Sequence, residues 1–415
     1  MVALRDFVSP SVLLVAFFTA LLSSALDQYP APIEPEPVDL QYALNTVQQQ
    51  TRFEQRTDLP VTTAFADAQV LFQNAAVGAQ GMAIAADGRS FVGLADGRIA
   101  FFQEDDMVLR NFSRTGQALN VCGLEEFKDN IEVQVKCGRP VGLVFAQTKF
   151  LRKFVERIPS AKLFPGEQVL LVADAYRGVY LFEATGKKTL LFNSVNKEKV
   201  HSLNDIAVSA RGDIFVTDSS RRFRNNAFAL DFLERTSTGQ VIHFNPRTAF
   251  ANVIVSELAF PNGVALVDND SALLIALSAQ NKIVKYTFTT KTIADFAFVP
   301  GSPSGLSISS AGKNKDVLFV GMLTRSNPAQ DSVMNALKVR KLLSLLPEFV
   351  TLKYLSLRSA FTTVDLKSGD VLQVYEEMLG RAPWISAVHK LGDYYYLTSW
   401  HRDSLVRVPA TAIHL

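Results

Sequence analysis

A unit of short apolar strands separated by Gly-containing turns recurs along the chain from about residue 71 onward. In each unit a turn with Gly or Asn leads into a short apolar or alternating strand, and a second Gly turn leads into the next strand. "LNDIAVSARGDIFVTDSS", residues 203–220, is a clear copy, in which a polar pair precedes one strand and "ARG" separates it from another. The pattern predicts a protein made mainly of β-strands.

Six such units follow one another. They cover residues 81–102, 140–186, 203–248, 261–288, 303–323 and 385–408. Six four-stranded sheets arranged radially leave only short, protected edges, whereas a β-sandwich needs no such regular recurrence. We therefore expect an all-β fold, a six-bladed β-propeller over residues 71–415.

The fifth unit contains an insertion at residues 324–359. Within it, "DSVMNALKVRKLLSLL" has apolar residues at helical spacing, with Lys338, Arg340 and Lys341 close together. This pattern predicts a helix that covers the propeller. Contact of the same helix with a membrane surface or a partner protein is the alternative.

The first 26 residues read as a targeting segment. Residues 7–26 carry no charge, and Arg5 and Asp27 flank them. Twenty such residues can just span a bilayer as a signal-anchor helix, but the denser stretch 12–22 followed by "SSA" also fits a cleaved signal peptide. Both interpretations put the rest of the chain on the lumenal or extracellular side. We expect a single-pass type II protein of the endomembrane system or plasma membrane, held by this segment, or a secreted protein if the segment is cleaved.

Residues 27–70 form a lead-in whose first part, "DQYPAPIEPEPVDL", is rich in Pro and Glu and has little to bury. We interpret it as a stalk between the targeting segment and the propeller. The whole chain has 415 residues, of which 48% are hydrophobic, which suffices for a large core. Its 42 basic and 40 acidic residues nearly balance, so the charge gives no sign of a nucleic-acid partner.

Two further features agree with an extracytoplasmic location. Cys122 and Cys137 are fifteen positions apart, and an even number of cysteines in a secretory chain favours a disulfide; two free buried thiols are the alternative. The tripeptides at Asn111 ("NFS") and Asn269 ("NDS") fit N-glycosylation, although such tripeptides also occur by chance.

The polar residues just ahead of the strands suggest a site. Asn204, Asp205 and Asn262 precede strands of the third and fourth units, and such positions cluster around one mouth of a propeller's central channel. Amide and carboxylate oxygens are hard ligands that suit Ca²⁺. The alternative is that Asn and Asp simply form the turns that lead into the strands.

At this point the chain resembles a known family. "CGRPVGLVF", "VADAYRGVYLFE", "NDIAVSARGDIFVTDSS" and "FPNGVAL" occur in the order typical of strictosidine synthase-like proteins, and the match runs from about residue 71 to the C-terminus. The resemblance implies a six-bladed propeller related to paraoxonases and other calcium-dependent lactonases and arylesterases. It also implies an N-terminal signal or anchor and a disulfide between the two cysteines.

In the metal-dependent relatives, the resemblance implies a calcium ion at the channel mouth, held by two asparagines and two acidic positions. Asn204 and Asn262 match the asparagines, but Gln80 and Ser304 stand where the carboxylates would be. Calcium affinity follows the charge of the oxygen ligands, so we predict a weak calcium site at best and no other cofactor. Asp205 compensates only if its side chain reaches the site.

Candidate catalytic residues are few. The alkaloid-forming branch of the family uses a glutamate where this chain has Ala387, which cannot transfer a proton, so we do not expect strictosidine synthase activity. His201, three residues before Asn204, and Asp205 are candidate general bases; an ordinary loop histidine is the more common role of a residue such as His201. Asp218 matches a family residue near the channel, and capping the end of its strand is its alternative role.

Two functions remain open. The first is an arylesterase-like hydrolase that acts on small esters or lactones at the channel mouth, with a degraded calcium site. The second is a non-catalytic propeller that binds a small-molecule ligand or a protein partner. The lost carboxylates favour the second function, and the retained asparagines favour the first.

Overall fold

The computed structural model describes residues 31–37, 64–156, 158–310, 316–326, 336–346, 359–377, 380–382 and 384–413. The predicted signal or anchor at residues 1–26 lies outside the described residues. Within these ranges, no helix combines the length and the apolar character that crossing a bilayer requires.

The first three blades are antiparallel sheets whose strands follow one another in sequence. After β1 (Gln69–Leu71) come β2 (Met82–Ile84), β3 (Ser90–Gly93), β4 (Arg98–Phe102) and β5 (Arg110–Arg114) of blade one. Blade two contains β6 (Pro140–Gln147), β7 (Gln168–Asp174), β8 (Gly178–Phe182) and β9 (Lys188–Phe192). A small hairpin of β10 (Ser194–Val195) and β11 (Glu198–Lys199) precedes blade three. Blade three contains β12 (Leu203–Val208), β13 (Ile214–Asp218), β14 (Gly239–Asn245) and β15 (Phe250–Leu258).

The other three blades follow the same order. Blade four contains β16 (Pro261–Val267), β17 (Ala272–Leu277), β18 (Lys282–Thr287) and β19 (Thr292–Phe298). Blade five contains β20 (Gly301–Ser310), β21 (Asp316–Arg325), β22 (Ser359–Asp365) and β23 (Val371–Glu377). Blade six contains β24 (Ile385–Leu391), β25 (Tyr394–Ser399) and β26 (Leu405–Pro409). The prediction of an all-β, six-bladed propeller is confirmed.

Strand β1 completes the last blade and closes the ring. It pairs with β26, with Gln69 opposite Arg407 and Leu71 opposite Leu405. The first strand of the propeller therefore supplies the outer strand of the sixth sheet. The closure leaves no open seam between the first and the last blade.

The hydrophobic core lies between neighbouring blades. Leu171 of blade two packs in one cluster with Ile206 and Val216 of blade three, and all three side chains are buried. The pair Phe91 and Phe145 makes a similar aromatic contact between blades one and two, with ring centroids 5.5 Å apart. Strands with both faces covered in this way read as continuous apolar runs in the sequence.

Short helices decorate the blades. They are α1 (Ile131–Cys137), α2 (Arg152–Val155), α3 (Phe228–Glu234) and α4 (Leu337–Ser344). The Asn130 side chain caps α1 by accepting hydrogen bonds from the backbone N–H groups of Glu132 and Val133. At the other end of α1, Cys137 forms a disulfide with Cys122, which confirms the predicted bond.

Three segments far apart in sequence form a cap, which we define as α3, α4 and residues 31–37. Helix α4 lies within the insertion at 324–359, as predicted, and contacts α3. Its fully buried Arg340 donates hydrogen bonds to the carbonyl oxygens of Leu233 (3.0 Å) and Glu234 (3.2 Å), and also to that of Glu36. Residues 31–37 belong to the stretch interpreted as a stalk. Within them Ile33 is buried against Leu233, whereas four of the seven residues are exposed.

Candidate functional site

Side chains from four blades meet at one mouth of the central channel. Gln80 precedes β2, Asn204 lies in β12, Asn262 in β16 and Ser304 in β20, and all four line a channel cavity of about 110 Å³. Asp205, Ala387 and His389 line the same cavity. The convergence predicted from the positions of the asparagines is therefore present in the structure.

An irregularity of the inner strands points these side chains into the channel. The pairing register of β12 shifts between Leu203 and Ile206, and that of β16 shifts between Pro261 and Val264. A bulge of this kind rotates the local backbone and redirects the side chain. The inner strands also approach one another closely here, because a Cβ atom on Gly263 would lie 2.3 Å from the Ser304 carbonyl oxygen.

Hydrogen bonds between neutral side chains hold the mouth together. Gln80 Nε2 donates to Asn204 Oδ1 over 2.7 Å, and Asn204 Nδ2 donates to Ser219 Oγ over 3.0 Å. On the neighbouring blade, Ser304 Oγ donates to Asn262 Oδ1 over 3.3 Å. Both asparagine oxygens thus already accept a hydrogen bond from the protein.

This arrangement does not fit the calcium ion that the family resemblance implies. None of the four matched side chains at the mouth carries a charge, and the two amide oxygens face hydrogen-bond donors rather than an open position. In the described part of the chain, no three His, Cys, Asp or Glu side chains are grouped so that they could hold a metal ion.

Asp205 is the carboxylate of the channel. It accepts hydrogen bonds from the backbone N–H groups of Ile206 (2.8 Å) and Val264 (3.0 Å), which tie it to blades three and four. Burial raises the pKa of Asp205 from 3.8 to about 6, and these two hydrogen bonds offset only part of the effect. A carboxyl group with such a pKa exchanges protons close to neutral pH.

His201 and Asp218 lie behind the mouth. Asp218 accepts hydrogen bonds from the Ser202 N–H (2.7 Å) and from Gln240 Nε2 (3.2 Å), and burial raises its pKa. The ring nitrogen Nδ1 of His201 lies 2.9 Å from the Ser220 carbonyl oxygen, to which it donates. Neither His201 nor Asp218 is among the described residues that line the channel and its mouth.

His389 is a channel residue that the sequence analysis did not single out. Burial lowers its pKa to about 4, so the ring is neutral at pH 7, and its Nε2 has no hydrogen-bond partner within the described structure. It lies two positions after Ala387 in β24. Side chains two positions apart on a strand share a face, so the assignment of Ala387 to the channel could have predicted that His389 lines it too.

An aromatic roof closes the mouth. Phe228 of α3 packs against Trp400, and Phe232 packs against Phe260, with ring centroids 4.7 and 4.8 Å apart. The space between this roof and the four polar side chains measures about 20 Å³, which holds roughly one water molecule. A larger cavity of about 160 Å³ adjoins it and shares Phe228 and Trp400 as wall residues.

Both glycosylation candidates are on the surface. Asn111 lies in β5, where its Oδ1 accepts a hydrogen bond from Arg98 Nη1 over 2.7 Å. Asn269 lies in the exposed turn between β16 and β17. Exposure of both residues makes glycan attachment sterically feasible, and glycosylation remains a prediction.

These features define a six-bladed propeller with a polar, capped channel mouth. The family model described as Strictosidine synthase matches residues 204–291, which span both channel asparagines. The chain is therefore similar to strictosidine synthase-like proteins, in agreement with the resemblance of its motifs. It is 28% identical to Protein STRICTOSIDINE SYNTHASE-LIKE 13 of Arabidopsis thaliana over 313 residues, 72% of each chain. It is also 28% identical to the adipocyte plasma membrane-associated protein of Bos taurus over 426 residues, covering 97% of this chain and 91% of that one.

Solved structures support the fold alone. A gluconolactonase from Xanthomonas campestris superposes with a TM-score of 0.52 at 13% identity, covering 92% of this chain and 96% of that one. The calcium-binding protein regucalcin from Agrobacterium tumefaciens superposes with a TM-score of 0.50 at 10% identity, covering 82% and 92%. Lactonase-like propellers are thus among the structural neighbours.

Proposed function

We propose that this strictosidine synthase-like propeller hydrolyses small esters or lactones at its channel mouth without a tightly bound calcium ion. The observation that carries the proposal is the buried Asp205 carboxylate, whose pKa of about 6 suits a general base and which shares the channel with Asn204 and Asn262. We prefer Asp205 to His201 as the base because Asp205 lines the channel.

The second element of the proposal is a donor for the developing oxyanion. The Ser304 hydroxyl donates a hydrogen bond to Asn262 Oδ1 and thereby fixes the orientation of the Asn262 amide. The Nδ2 group of Asn262 has no hydrogen-bond partner among the described residues, which leaves it available to the substrate carbonyl oxygen at the mouth. An oriented N–H group of this kind stabilises the negative charge that forms during attack on an ester.

The steps follow from these two groups. Ionised Asp205 takes a proton from water as the water oxygen attacks the carbonyl carbon, and Asn262 Nδ2 donates to the oxygen that becomes negative. When the bond to the leaving alcohol breaks, protonated Asp205 returns the proton to it. Asn262 lines both the channel cavity that contains Asp205 and the small space under the roof, so the attacking water lies on the Asp205 side of the carbonyl. The space under the roof holds roughly one water, so the body of the substrate lies in the adjoining cavity of about 160 Å³.

The proposed location is the lumen of the secretory pathway or the cell exterior. The disulfide is stable in an oxidising compartment. A relative that covers nearly the whole chain is named as plasma membrane-associated. Fractionation of cells that express the tagged full-length protein, with protease protection of the propeller, tests this location.

The test of the activity uses the purified full-length protein with phenyl acetate and a small lactone as probes. We expect hydrolysis at the same rate with calcium and with a chelator, and a rate that rises with pH with an apparent pKa near 6. Asp205→Asn reduces the rate about a hundredfold or more, since it removes the base. Asp295→Asn, on an exposed outer strand, leaves the rate unchanged. Loss of activity with the chelator, or full activity of Asp205→Asn, contradicts the proposal.

The second candidate is a non-catalytic propeller that binds a small molecule or a protein partner. The closed roof of Phe228 and Trp400 favours it, because the mouth admits a substrate carbonyl only if the cap moves. Ala387 lines the channel at the position where the alkaloid-forming branch has its acid/base glutamate, and alanine cannot transfer a proton. A folded protein that fails to hydrolyse every ester and lactone tested points to this function.

A further inference from the structure

A second cavity of about 160 Å³ lies beside the channel mouth and outside the group of residues proposed for hydrolysis. Its walls come from the loop closed by the disulfide, from the start of blade two, from α3 and from the end of β25. The wall residues used below are Arg139, Tyr176, Asn226, Phe228, Trp400 and His401.

Arg139 is a buried cation in this wall. Its exposure is 6%, and its Nη2 donates to the Trp400 carbonyl oxygen over 2.6 Å. No carboxylate of the described residues forms an ion pair with its guanidinium; Asp174 instead accepts a hydrogen bond from the Arg139 backbone N–H. Asp174 and Asp96 act on the charge of Arg139 only from beyond ion-pair distance, and a buried charge without a direct ion pair is unfavourable. The guanidinium therefore has both the charge and the free N–H groups to bind an anion.

Two residues that line the same cavity carry neutral donors. The indole Nε1 of Trp400 is buried and has no acceptor within the described structure. Burial raises the pKa of the Tyr176 hydroxyl, so it keeps its proton to donate. Burial also lowers the pKa of His401, which leaves that ring neutral at pH 7. The wall of the cavity thus contains one positive charge, on Arg139, and neutral side chains around it.

The rim does not cancel this preference. Glu125 at the opening is paired with Lys128 over 2.5 Å, so the two charges offset each other, and Asp129 is exposed to solvent. A solvated charge at an opening is screened far more strongly than a buried charge in the wall.

We propose that this cavity binds a small aromatic carboxylate. A planar carboxylate matches the fork of the Arg139 guanidinium, and the Tyr176 hydroxyl is a second donor in the same wall. The aromatic faces of Phe228 and Trp400 supply an apolar wall. A cavity of roughly 150 Å³ is known to accept benzene, so the observed volume suits a single ring. The proposed hydrolysis places the body of the substrate in this same cavity, but binding of a carboxylate requires neither Asp205 nor any turnover, so its test gives a separate answer.

The cavity has a built-in reporter. The chain contains only two tryptophans, and their ring centroids lie 4.8 Å apart, with Trp400 in the cavity wall and Trp384 against it. We would titrate the full-length protein with benzoate and with benzamide, a neutral molecule of the same shape, and follow tryptophan fluorescence. Benzoate is expected to cause a saturable change and to bind at least tenfold more tightly than benzamide, since only benzoate carries the charge. Equal affinity for both molecules, or no saturation by benzoate, overturns the proposal.

Variants assign the effect to Arg139. Arg139→Gln keeps a polar side chain but removes the charge, and benzoate affinity should fall at least tenfold while benzamide affinity stays the same. Arg110→Gln removes an exposed arginine of blade one and serves as the matched control. A folded Arg139→Gln protein with unchanged benzoate affinity overturns the proposal. If a thermal melt shows that this variant does not fold, the comparison of benzoate with benzamide on the unaltered protein still decides.

Discussion

The side-chain amide of Gln80, ahead of blade one, donates a hydrogen bond over 2.7 Å to Asn204 Oδ1 of blade three. Ser304 does the same for Asn262 on the opposite part of the mouth. Each donor thus binds the amide oxygen that a cation would otherwise use. The pairs explain how the mouth keeps its asparagines in place without acidic side chains, and they underlie the proposed change from a metal ligand to an N–H donor at Asn262.

Restoring both carboxylates should create calcium binding. In the double variant Gln80→Glu and Ser304→Asp, the two donors become charged oxygen ligands and release the amide oxygens of Asn204 and Asn262. At a calcium concentration one hundred times the Kd, the variant should be stabilised by about 2.7 kcal/mol relative to the chelated form. Thermal melts with calcium and with chelator measure this, and the unaltered protein should melt at one temperature in both. A double variant that ignores calcium would show that the geometry of the mouth excludes the ion.

The sequence predicted the position of this site but not its contacts. The polar residues ahead of the third and fourth units indicated that Asn204 and Asn262 meet at a channel mouth, because blade position alone determines which strand starts are adjacent. The hydrogen bond from the Val264 N–H to Asp205 was not predictable. It depends on bulges in β12 and β16, and these arise from packing between blades that are distant in sequence.

The cap shows a second limit of sequence reasoning. The composition of residues 27–40 predicts a solvated stalk, and a single isoleucine gives no periodic signal. Ile33 is nevertheless buried, because Leu233 of α3 and Leu343 of α4 form an apolar site for it. Glu36 and Arg340, which join the two parts, are 304 positions apart. A contact of this kind requires the whole ring of blades to be in place.

Asp231 should make the stability of the cap depend on pH. It is buried in α3, and neither carboxylate oxygen has a hydrogen-bond partner within the described structure. Burial, reinforced by the neighbouring Glu234, raises the pKa of Asp231 from 3.8 to about 7. The native state therefore holds this proton more tightly than the unfolded state, and the resulting stability is lost as the pH rises from about 4 to about 7.

Replacing Asp231 with Asn should remove that pH dependence. Relative to the unaltered protein, the free energy of unfolding of Asp231→Asn should increase between pH 4 and pH 8, by at most about 4 kcal/mol. Urea unfolding at several pH values measures the difference. Asp295→Asn, at an exposed position, is the control for replacing any aspartate. A constant difference between Asp231→Asn and the unaltered protein at every pH would contradict the prediction.

Arg340 should hold the cap closed. Arg340→Met keeps the apolar stem of the side chain but removes the donors to Leu233, Glu234 and Glu36. Buried hydrogen bonds from a charged donor are worth about 1.5–3 kcal/mol each, so local opening of the cap should become much more frequent. Hydrogen exchange should accelerate in α3 and stay slow in β17. Lys341→Met, on the same helix but partly exposed, should leave both rates unchanged. Equal acceleration in β17 would mean that the arginine supports the whole fold rather than the cap.

The disulfide should stabilise both the propeller and the second cavity. Replacing Cys122 and Cys137 with alanine opens a loop of fifteen residues, and the chain-entropy relation predicts a loss of about 3 kcal/mol in the free energy of unfolding. Gly123 and Leu124 of this loop line the cavity of about 160 Å³, so benzoate should also bind more weakly. Urea unfolding with and without a reducing agent measures the first effect. A reducing agent should shift the midpoint of the unaltered protein and leave that of the double variant in place. If benzoate affinity survives while stability falls, the loop contributes to the fold and not to the binding site.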